Sequence, residues 1–497
     1  MSAAGSPVGH ARTGRAALAV CAALSALQGA LLAAGAWHYS AAMIGLLAIP
    51  PMLYVGLKGI QDTRGMLLPG SWVLMMAAPA FQQRGIPAGY LLEVGLVFFS
   101  VAACRQVYLL ARKDRDLGMA ALLFCTFMLA GLASTVSGQR AHAVAAAWQI
   151  LYTLKFPLMF LMGLLIVWND ASRRIFAHVV RWSWIPLLLC VALEVAAPGF
   201  HQTLFGARPD WHANPMLGFG LRYRGPASHP GNLAIMSALL AACAAVNWMT
   251  DGRRLSWAAT AAMYGLLILL SGERQEALAL LLALLLLAAL RMRAHWPLAA
   301  CAAVLAAGAG LAWWGFGDRT LQIAALDDWG FGDPLARLSE RGILYRGGLD
   351  VARQYFPWGA GFGTYGGVGA QKFDLSLSMD LGFRQYWWFR QRLFLVDTYW
   401  PSVLAETGVV GFLALAACFV WMLSTLARRA ASTEGTAANA LVLYALAALA
   451  LMLANSPTSI QLTDPRSACL FWLLIGAAWR ATANEGTRRK TWQAKSS

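Results

Sequence analysis

Residues 253–291 read RRLSWAATAAMYGLLILLSGERQEALALLLALLLLAALR. Two apolar runs, 255–271 and 276–291, flank a polar knot, Ser271-Gly-Glu-Arg-Gln-Glu276, and arginines close both far ends. A bilayer core is crossed by about 20 mostly apolar residues, with a range of about 17 to 25. Two such runs joined by a tight turn make a membrane hairpin, with Arg253, Arg254 and Arg291 on one side and the polar knot on the other. Lys and Arg accumulate in cytoplasmic loops, so the arginine side is read as the inner one.

Working outward, the same pattern recurs along all 497 residues. Fourteen apolar runs are read as spans: 16–37, 41–58, 66–81, 88–111, 117–137, 146–168, 178–198, 229–249, 255–271, 276–291, 296–316, 401–426, 438–455 and 466–483. The run at 66–81 is short and holds Pro69, Gly70 and Pro79. It is kept because, with the N-terminus inside, every inner segment then carries at least two basic residues, 20 of the 39 in all. The expected fold is an all-α polytopic membrane protein. It divides into helices 1–7 (1–198), helices 8–11 with arginine-bearing outer loops (199–316), a large outer loop with short helices (317–400), and helices 12–14 with an inner tail (401–497).

Composition agrees. The chain is 59% hydrophobic and 12% charged, half the charge of an ordinary soluble domain. The net charge of +16 would point to nucleic acid in a soluble chain; here it sits between apolar runs and records orientation, so no nucleic-acid partner is expected. The first run follows Arg12 and Arg15 as a signal peptide would, but exceeds the length of an h-region and is read as an anchor. The eight cysteines all fall inside apolar runs and form no C-x-x-C, so neither disulfides nor a thiolate metal site is expected.

Three polar sets are placed on the outer face: Arg222, Arg224 and His229 before the eighth span; Glu273, Arg274 and Glu276 in the polar knot; and the loop 317–400. The planar, permanently charged guanidinium suits phosphate oxygens. Arg222, Arg224 and Arg274 are therefore candidates for a phosphate or pyrophosphate head group, the alternative being that they pair with Glu273, Glu276 or lipid phosphates. Gly361, Gly363 and Gly366 spell G-x-G-x-x-G without a surrounding βα unit, and are read as glycines for close backbone approach or a tight turn. The aromatic run Arg384 to Arg390 is read as an interfacial belt ahead of a sugar-stacking platform. Glu93, Lys155, Glu194 and Glu406 are ionisable groups inside spans and candidates for function by default; Lys155 and Glu93 are read as pairing or snorkelling and are given no role. Asp397, where the loop returns to the membrane, is placed to act as a general base on a sugar hydroxyl. Glu406 is read either as a group orienting substrate or as a carboxylate satisfied by backbone.

Four motifs carry a resemblance to the O-antigen ligase and O-antigen polymerase superfamily, over about residues 200–480. They are Arg222-x-x-Gly225 with Pro230-Gly-Asn232, Ser271-x-x-Arg274, the Pro357 to Tyr365 glycine stretch, and Leu404-Ala-Glu-x-Gly-x-x-Gly411. The resemblance implies a metal-independent, cofactor-free glycosyltransferase of the membrane-embedded GT-C type in the bacterial inner membrane, with both termini cytoplasmic and the site facing the periplasm. The donor would be an undecaprenyl-pyrophosphate-linked glycan held by Arg222, Arg224 and Arg274. Asp397 and Glu406 would be catalytic, and His229, Arg341, Arg346, Asp350, Tyr365 and Tyr399 would contact glycan or acceptor. A flippase and a chain-length regulator would be partners. Ligases of the superfamily place a histidine where the large loop re-enters; here the stretch reads Asp397-Thr-Tyr399, and no histidine follows His295. This favours a polysaccharide polymerase over a ligase. A lipid-linked-sugar transporter is the contrasting expectation, but it would show repeats and broken midplane helices, whereas the polar residues here gather in outer loops.

Overall fold

In hydrocarbon every backbone N–H and C=O has to be paired within its own segment, so long apolar runs become helices. The computed structural model describes residues 67–83, 108–138, 140–206, 210–214, 216–217, 221–251, 254–292, 340–434, 436 and 438–496. Its elements up to the large loop are α1 (Leu67–Gln83), α2 (Arg115–Ser137), α3 (Ala143–Thr153), α4 (Lys155–Gly163), α5 (Asp170–Trp182), α6 (Trp184–Ala196), α7 (Pro198–Phe205), β1 (Asp210–Ala213), β2 (Leu221–Arg222), α8 (Pro230–Thr250), α9 (Leu255–Ser271) and α10 (Arg274–Met292). Beyond residue 339 come α11 (Glu340–Gln354), α12 (Val368–Phe373), α13 (Ser376–Asp380), a short 3-10 turn (Phe383–Gln385), α14 (Trp387–Arg390), α15 (Trp400–Ser432), α16 (Asn439–Asn455) and α17 (Pro465–Ser496).

The described chain is mostly helical, as an all-α membrane protein requires. Among the described residues five helices are long and apolar enough to cross a membrane: Arg115–Ser137, Ala143–Gly163, Asp170–Ala196, Pro230–Thr250 and Trp400–Ser432. Leu255–Ser271, Asn439–Asn455 and Ser467–Ala483 are shorter apolar helices, and α1 and α10 occupy two further expected spans. The expected spans 16–37, 41–58 and 296–316, most of 88–111 with Glu93, and loop residues 317–339 lie outside the described residues.

Several expected spans differ in their limits, those at 401–426 and 466–483 running on to Ser432 in α15 and Ser496 in α17. The run 146–168 is a broken helix, parted between Thr153 and Lys155, with the Lys155 ammonium 4.5 Å from the centre of the Tyr152 ring. The run expected to start at 178 starts at Asp170, because the Asn169 side chain caps the helix by accepting from the Ser172 N–H at 2.8 Å; Asp170 adds negative charge at the positive helix end. Arg173 and Arg174 thus lie on a helix, not in a loop.

α8 is apolar on all sides, and such a helix is buried. Most of it, 78% of its apolar window, is enclosed by α5, α9, α10 and α16. Around this centre, α15 packs along α2, and α17 along α4 and α16. The α4–α17 contact is set by Gly163 and Gly476: a Cβ on Gly163 would stand 2.6 Å from the Leu473 carbonyl oxygen, and one on Gly476 would overlap the Phe160 carbonyl. Small residues at a crossing let two membrane helices approach this closely. At the arginine-rich end, Asp114 caps α2 by accepting from Asp116 and Leu117 N–H and pairs with Arg429 of α15 at 2.7 Å. It also accepts from Trp479 Nε1 of α17 at 3.0 Å. Arg480 donates at 2.9 Å to the Leu164 and Leu165 carbonyls just past the end of α4. The five described cysteines are free, with Cys243, Cys418 and Cys469 buried.

A side chain at Gly476 has to push α4 and α17 apart. Gly476→Val is expected to cost at least the roughly 1–3 kcal/mol of an overpacked core, read as a fall in the thermal unfolding temperature of the detergent-solubilised protein. Val at Gly265, where a Cβ meets nothing within 4 Å, is expected to leave that temperature nearly unchanged.

Candidate functional site

The position of the large loop follows from a fault in α15. Gly408 has φ 64° and ψ −168°, which interrupts the helix. The Ala405 and Glu406 carbonyls, released from their helical partners, accept from Ala360 N–H at 2.8 Å and Gly361 N–H at 2.9 Å, and Val409 N–H donates to the Pro357 carbonyl at 3.0 Å. The Glu406 carboxylate accepts from Gly363 N–H at 3.0 Å and Tyr365 N–H at 3.3 Å. On the other side the turn is held by α2: Ser134 Oγ donates to the Gly359 carbonyl and Phe362 N–H to Thr135 Oγ1. A Cβ on Gly363 would stand 2.5 Å from the Ala145 carbonyl oxygen, so the glycine stretch is a backbone plug between α2, α3 and α15. The reading as close backbone approach fits this geometry.

Onto this plug packs α11. Its Gly348 rests on Pro401, and Tyr345 Oη donates to the Pro457 carbonyl at 2.8 Å. The first turn of α11 is thereby brought to the start of α15, where Arg341 lies 3.8 Å from Asp397, both partly buried.

The other half of the site comes from the loop before α8. β2 pairs antiparallel with β1 through Asp210 and Arg222, and the loop docks on the end of α9: Tyr223 N–H donates to the Leu270 carbonyl at 3.1 Å and Asn214 Nδ2 to that of Leu269 at 2.8 Å. Arg222 then forms a close ion pair with Glu273. His229 caps α8, its Nδ1 accepting from Gly231 N–H at 3.0 Å and lying 4.0 Å from Glu273 Oε1. Arg274 opens α10, and among the described residues no carboxylate pairs with it within 4.0 Å. Two residues on, Glu276 is buried with Oε2 unpartnered among the described residues, within electrostatic reach of Glu273, Arg341 and Arg222.

Five expected positions, Arg222, His229, Arg274, Arg341 and Asp397, therefore cluster at one end of the bundle. Burial pushes the Asp397 carboxyl above its ordinary range, with Arg341 and His229 opposing the shift and Glu340 adding to it. A partly desolvated carboxylate held beside the Arg341 cation and within reach of the His229 charge is equipped to take a proton while charge develops on a neighbouring oxyanion.

Other expected positions serve the framework. Arg224 is turned inward: Glu194 Oε2 accepts from the Arg224 and Gly225 N–H groups at 2.9 Å each, and Glu194 Oε1 is 3.6 Å from Arg224 Nε. Its charge is matched inside the protein, so it is withdrawn from the anion-binding set. Glu406 is withdrawn from the catalytic set because it is buried and its Oε1 already accepts from the Gly363 and Tyr365 N–H groups. Tyr365 is buried and its hydroxyl donates to the Leu344 carbonyl at 2.6 Å. Tyr399 is buried with its hydroxyl unpartnered among the described residues; it lines, with Glu406, a cavity of about 30 Å³, room for about one water. Arg346 and Asp350 are exposed on α11, Asp350 lying 3.5 Å from Arg353. Glu273 and Glu276 belong to the cluster although sequence reading treated them as alternative partners of the arginines; their i, i+3 spacing at a helix start was the available signal. Glu340, beside Arg341, had none.

The raised Asp397 carboxyl makes the folded chain bind more protons than the unfolded one between the ordinary Asp value of about 3.9 and the raised value. Its contribution to stability therefore falls as pH climbs through that window. Arg341→Met is expected to widen the window and to destabilise by about 1–2 kcal/mol, less than for a fully buried pair because both groups are partly exposed. The loss should be larger at pH 8 than at pH 4 in thermal unfolding, and Asp397→Asn in the same background should restore stability. In comparisons with known proteins, no family model matches this chain, and no curated protein is significantly similar to it.

Proposed function

We propose that this protein is a polysaccharide polymerase of the bacterial inner membrane, joining undecaprenyl-pyrophosphate-linked repeat units at the periplasmic face. The observation that carries the reading is the meeting of Arg222, Arg274, Arg341 and Asp397, drawn from four distant parts of the chain, at the loop-bearing end of an apolar helix bundle. The fourteen-span topology, the GT-C architecture, cytoplasmic termini and membership of the O-antigen ligase and polymerase superfamily belong to the same proposal.

The chemistry runs as follows. The acceptor sugar hydroxyl gives its proton to Asp397 as its oxygen bonds to the donor anomeric carbon. The bond from that carbon to the pyrophosphate oxygen breaks, and undecaprenyl pyrophosphate leaves with the electron pair. Arg274 and Arg222, the latter drawn from Glu273, neutralise the charge gathering on the leaving group. Arg341 holds the Asp397 carboxylate in place. No metal or cofactor is invoked; the leaving group is already good, so positioning and charge stabilisation supply the rate.

A ligase moving glycan to lipid A core or another acceptor has one observation in its favour. The histidine lacking on the re-entrant segment is provided from the start of α8, where the charge of His229 acts on Asp397.

Reconstitution with a fluorescent lipid-linked repeat unit separates the readings. A ladder of products is expected; a single transfer that depends on added acceptor points to the ligase, and movement across the bilayer without new bonds would replace both by a transporter. Arg222→Ala and Arg274→Ala are each expected to lower the rate about 10²–10³-fold, and Asp397→Asn about 10²–10⁴-fold with donor still bound. Because the base has to be ionised, the rate should rise with pH along a limb displaced above the ordinary Asp range, and Arg341→Met should move that limb higher. Full rates from all three variants would sink the assignment.

A further inference from the structure

At the opposite end of the bundle the helices open around a second cavity of about 370 Å³. Asn247 at the end of α8, Trp257 at the start of α9, Arg291 at the end of α10, Asn439 at the start of α16 and Arg173 on α5 all line it. The 21 residues of α8, at 1.5 Å rise each, put it about 30 Å from His229, at the far membrane–water boundary. None of its residues takes part in the cluster described above.

The lining is polar in a specific way. The Tyr444 hydroxyl donates to Asn247 Oδ1, which fixes the amide and leaves Nδ2 as the group without a partner among the described residues. Asn247 and Asn439 are each only 7% exposed, and Asn439 Oδ1 and Thr436 Oγ1 are likewise unpartnered there. Buried amides left without partners cost about 1–3 kcal/mol each, so a native protein seldom keeps several around one cavity without something to bind. Among the described residues no carboxylate pairs with Arg173 within 4.0 Å. Arg291 is held by Glu434 at 2.6 Å, while Asp251 is engaged by Trp257 Nε1 at 3.2 Å and Arg254 at 3.8 Å.

We propose that this cavity is a binding site for a phosphate ester bearing hydroxyl groups. Arg173, Arg291 and Asn247 Nδ2 face the phosphate oxygens as donors, and Asn439 Oδ1 accepts from a hydroxyl of the ester. Such chemistry comes from the head group of phosphatidylglycerol in the adjoining leaflet or from a soluble glycerol phosphate. The depth of the site, at one end of helices of membrane length, favours the lipid.

The test uses the purified full-length protein in neutral detergent, titrated with phosphatidylglycerol, phosphatidylcholine or sn-glycerol 3-phosphate, binding being read by native mass spectrometry. Saturable one-to-one binding of phosphatidylglycerol, at least tenfold tighter than phosphatidylcholine, is expected. Arg173→Gln, a substitution at an exposed position, and Asn439→Ala should each weaken it at least fivefold, whereas Arg353→Gln, at an exposed position on α11, should not change it. Displacement of the lipid by millimolar sn-glycerol 3-phosphate would uphold the site and assign it to a soluble ester. Equal binding of the two lipids, binding indifferent to both cavity substitutions, or no saturable binding of either phosphate ester would overturn the proposal.

Discussion

A helix that breaks inside an apolar bundle leaves carbonyls and an amide that lipid cannot satisfy, and the large loop takes its place in the protein by satisfying them. At Gly408 the backbone turns out of the helix, and the freed groups of Ala405, Glu406 and Val409 find their partners on Pro357, Ala360 and Gly361. The cost of an unpaired buried peptide group, several kcal/mol in hydrocarbon, makes this exchange obligatory. Much on that face follows from it: the plug positions α11, and α11 brings Arg341 to Asp397. The buried Glu406 carboxylate closes the plug from below by accepting two of its amides.

Arginines in this chain divide by the company they keep. Arg429, Arg480 and Arg224 are tied to Asp114, to the carbonyls past the end of α4 and to Glu194, and their charge is consumed in holding helices and turns together. Arg274 and Arg173 have no such counter-ion among the described residues, and Arg222 shares Glu273 at a partly open position, 23% exposed. The first group explains how charges persist within a bundle of apolar helices. The second group marks the two places, at opposite ends of α8, for which an anionic ligand is proposed. The outer cluster adds a carboxylate, Asp397, whose burial favours its protonated form, and this pairing of base and cations underlies the polymerase reading.

Local pattern alone made the helical membrane architecture legible, because hydropathy over about 20 residues is a one-dimensional property. It also placed Arg222, His229, Arg274 and Asp397 on one face, since alternation of basic and neutral loops assigns sidedness without coordinates. Sequence could not separate Arg224 from Arg222 two residues away, nor tell that Glu406 is occupied by backbone. The distinction depends on Glu194, 30 residues earlier in the chain, and on the Gly363 and Tyr365 amides more than 40 residues before Glu406. The break at Gly408 was likewise hidden, because its freed groups are satisfied by the distant loop; those at Leu154 and Ser183 stand three residues before Pro157 and Pro186, whose rings lack an N–H and press on the carbonyl four residues back.

What the sequence by itself determined is which stretches are apolar enough to form helices of membrane length, for burial of apolar side chains and exclusion of charge act residue by residue. What only the tertiary structure decided is which charges remain available. A guanidinium is neutralised or left open according to the carboxylates and carbonyls that folding carries to within about 4 Å of it, and the Coulomb interaction falls too steeply with distance, and is screened too strongly by water, for sequence neighbours to settle the matter.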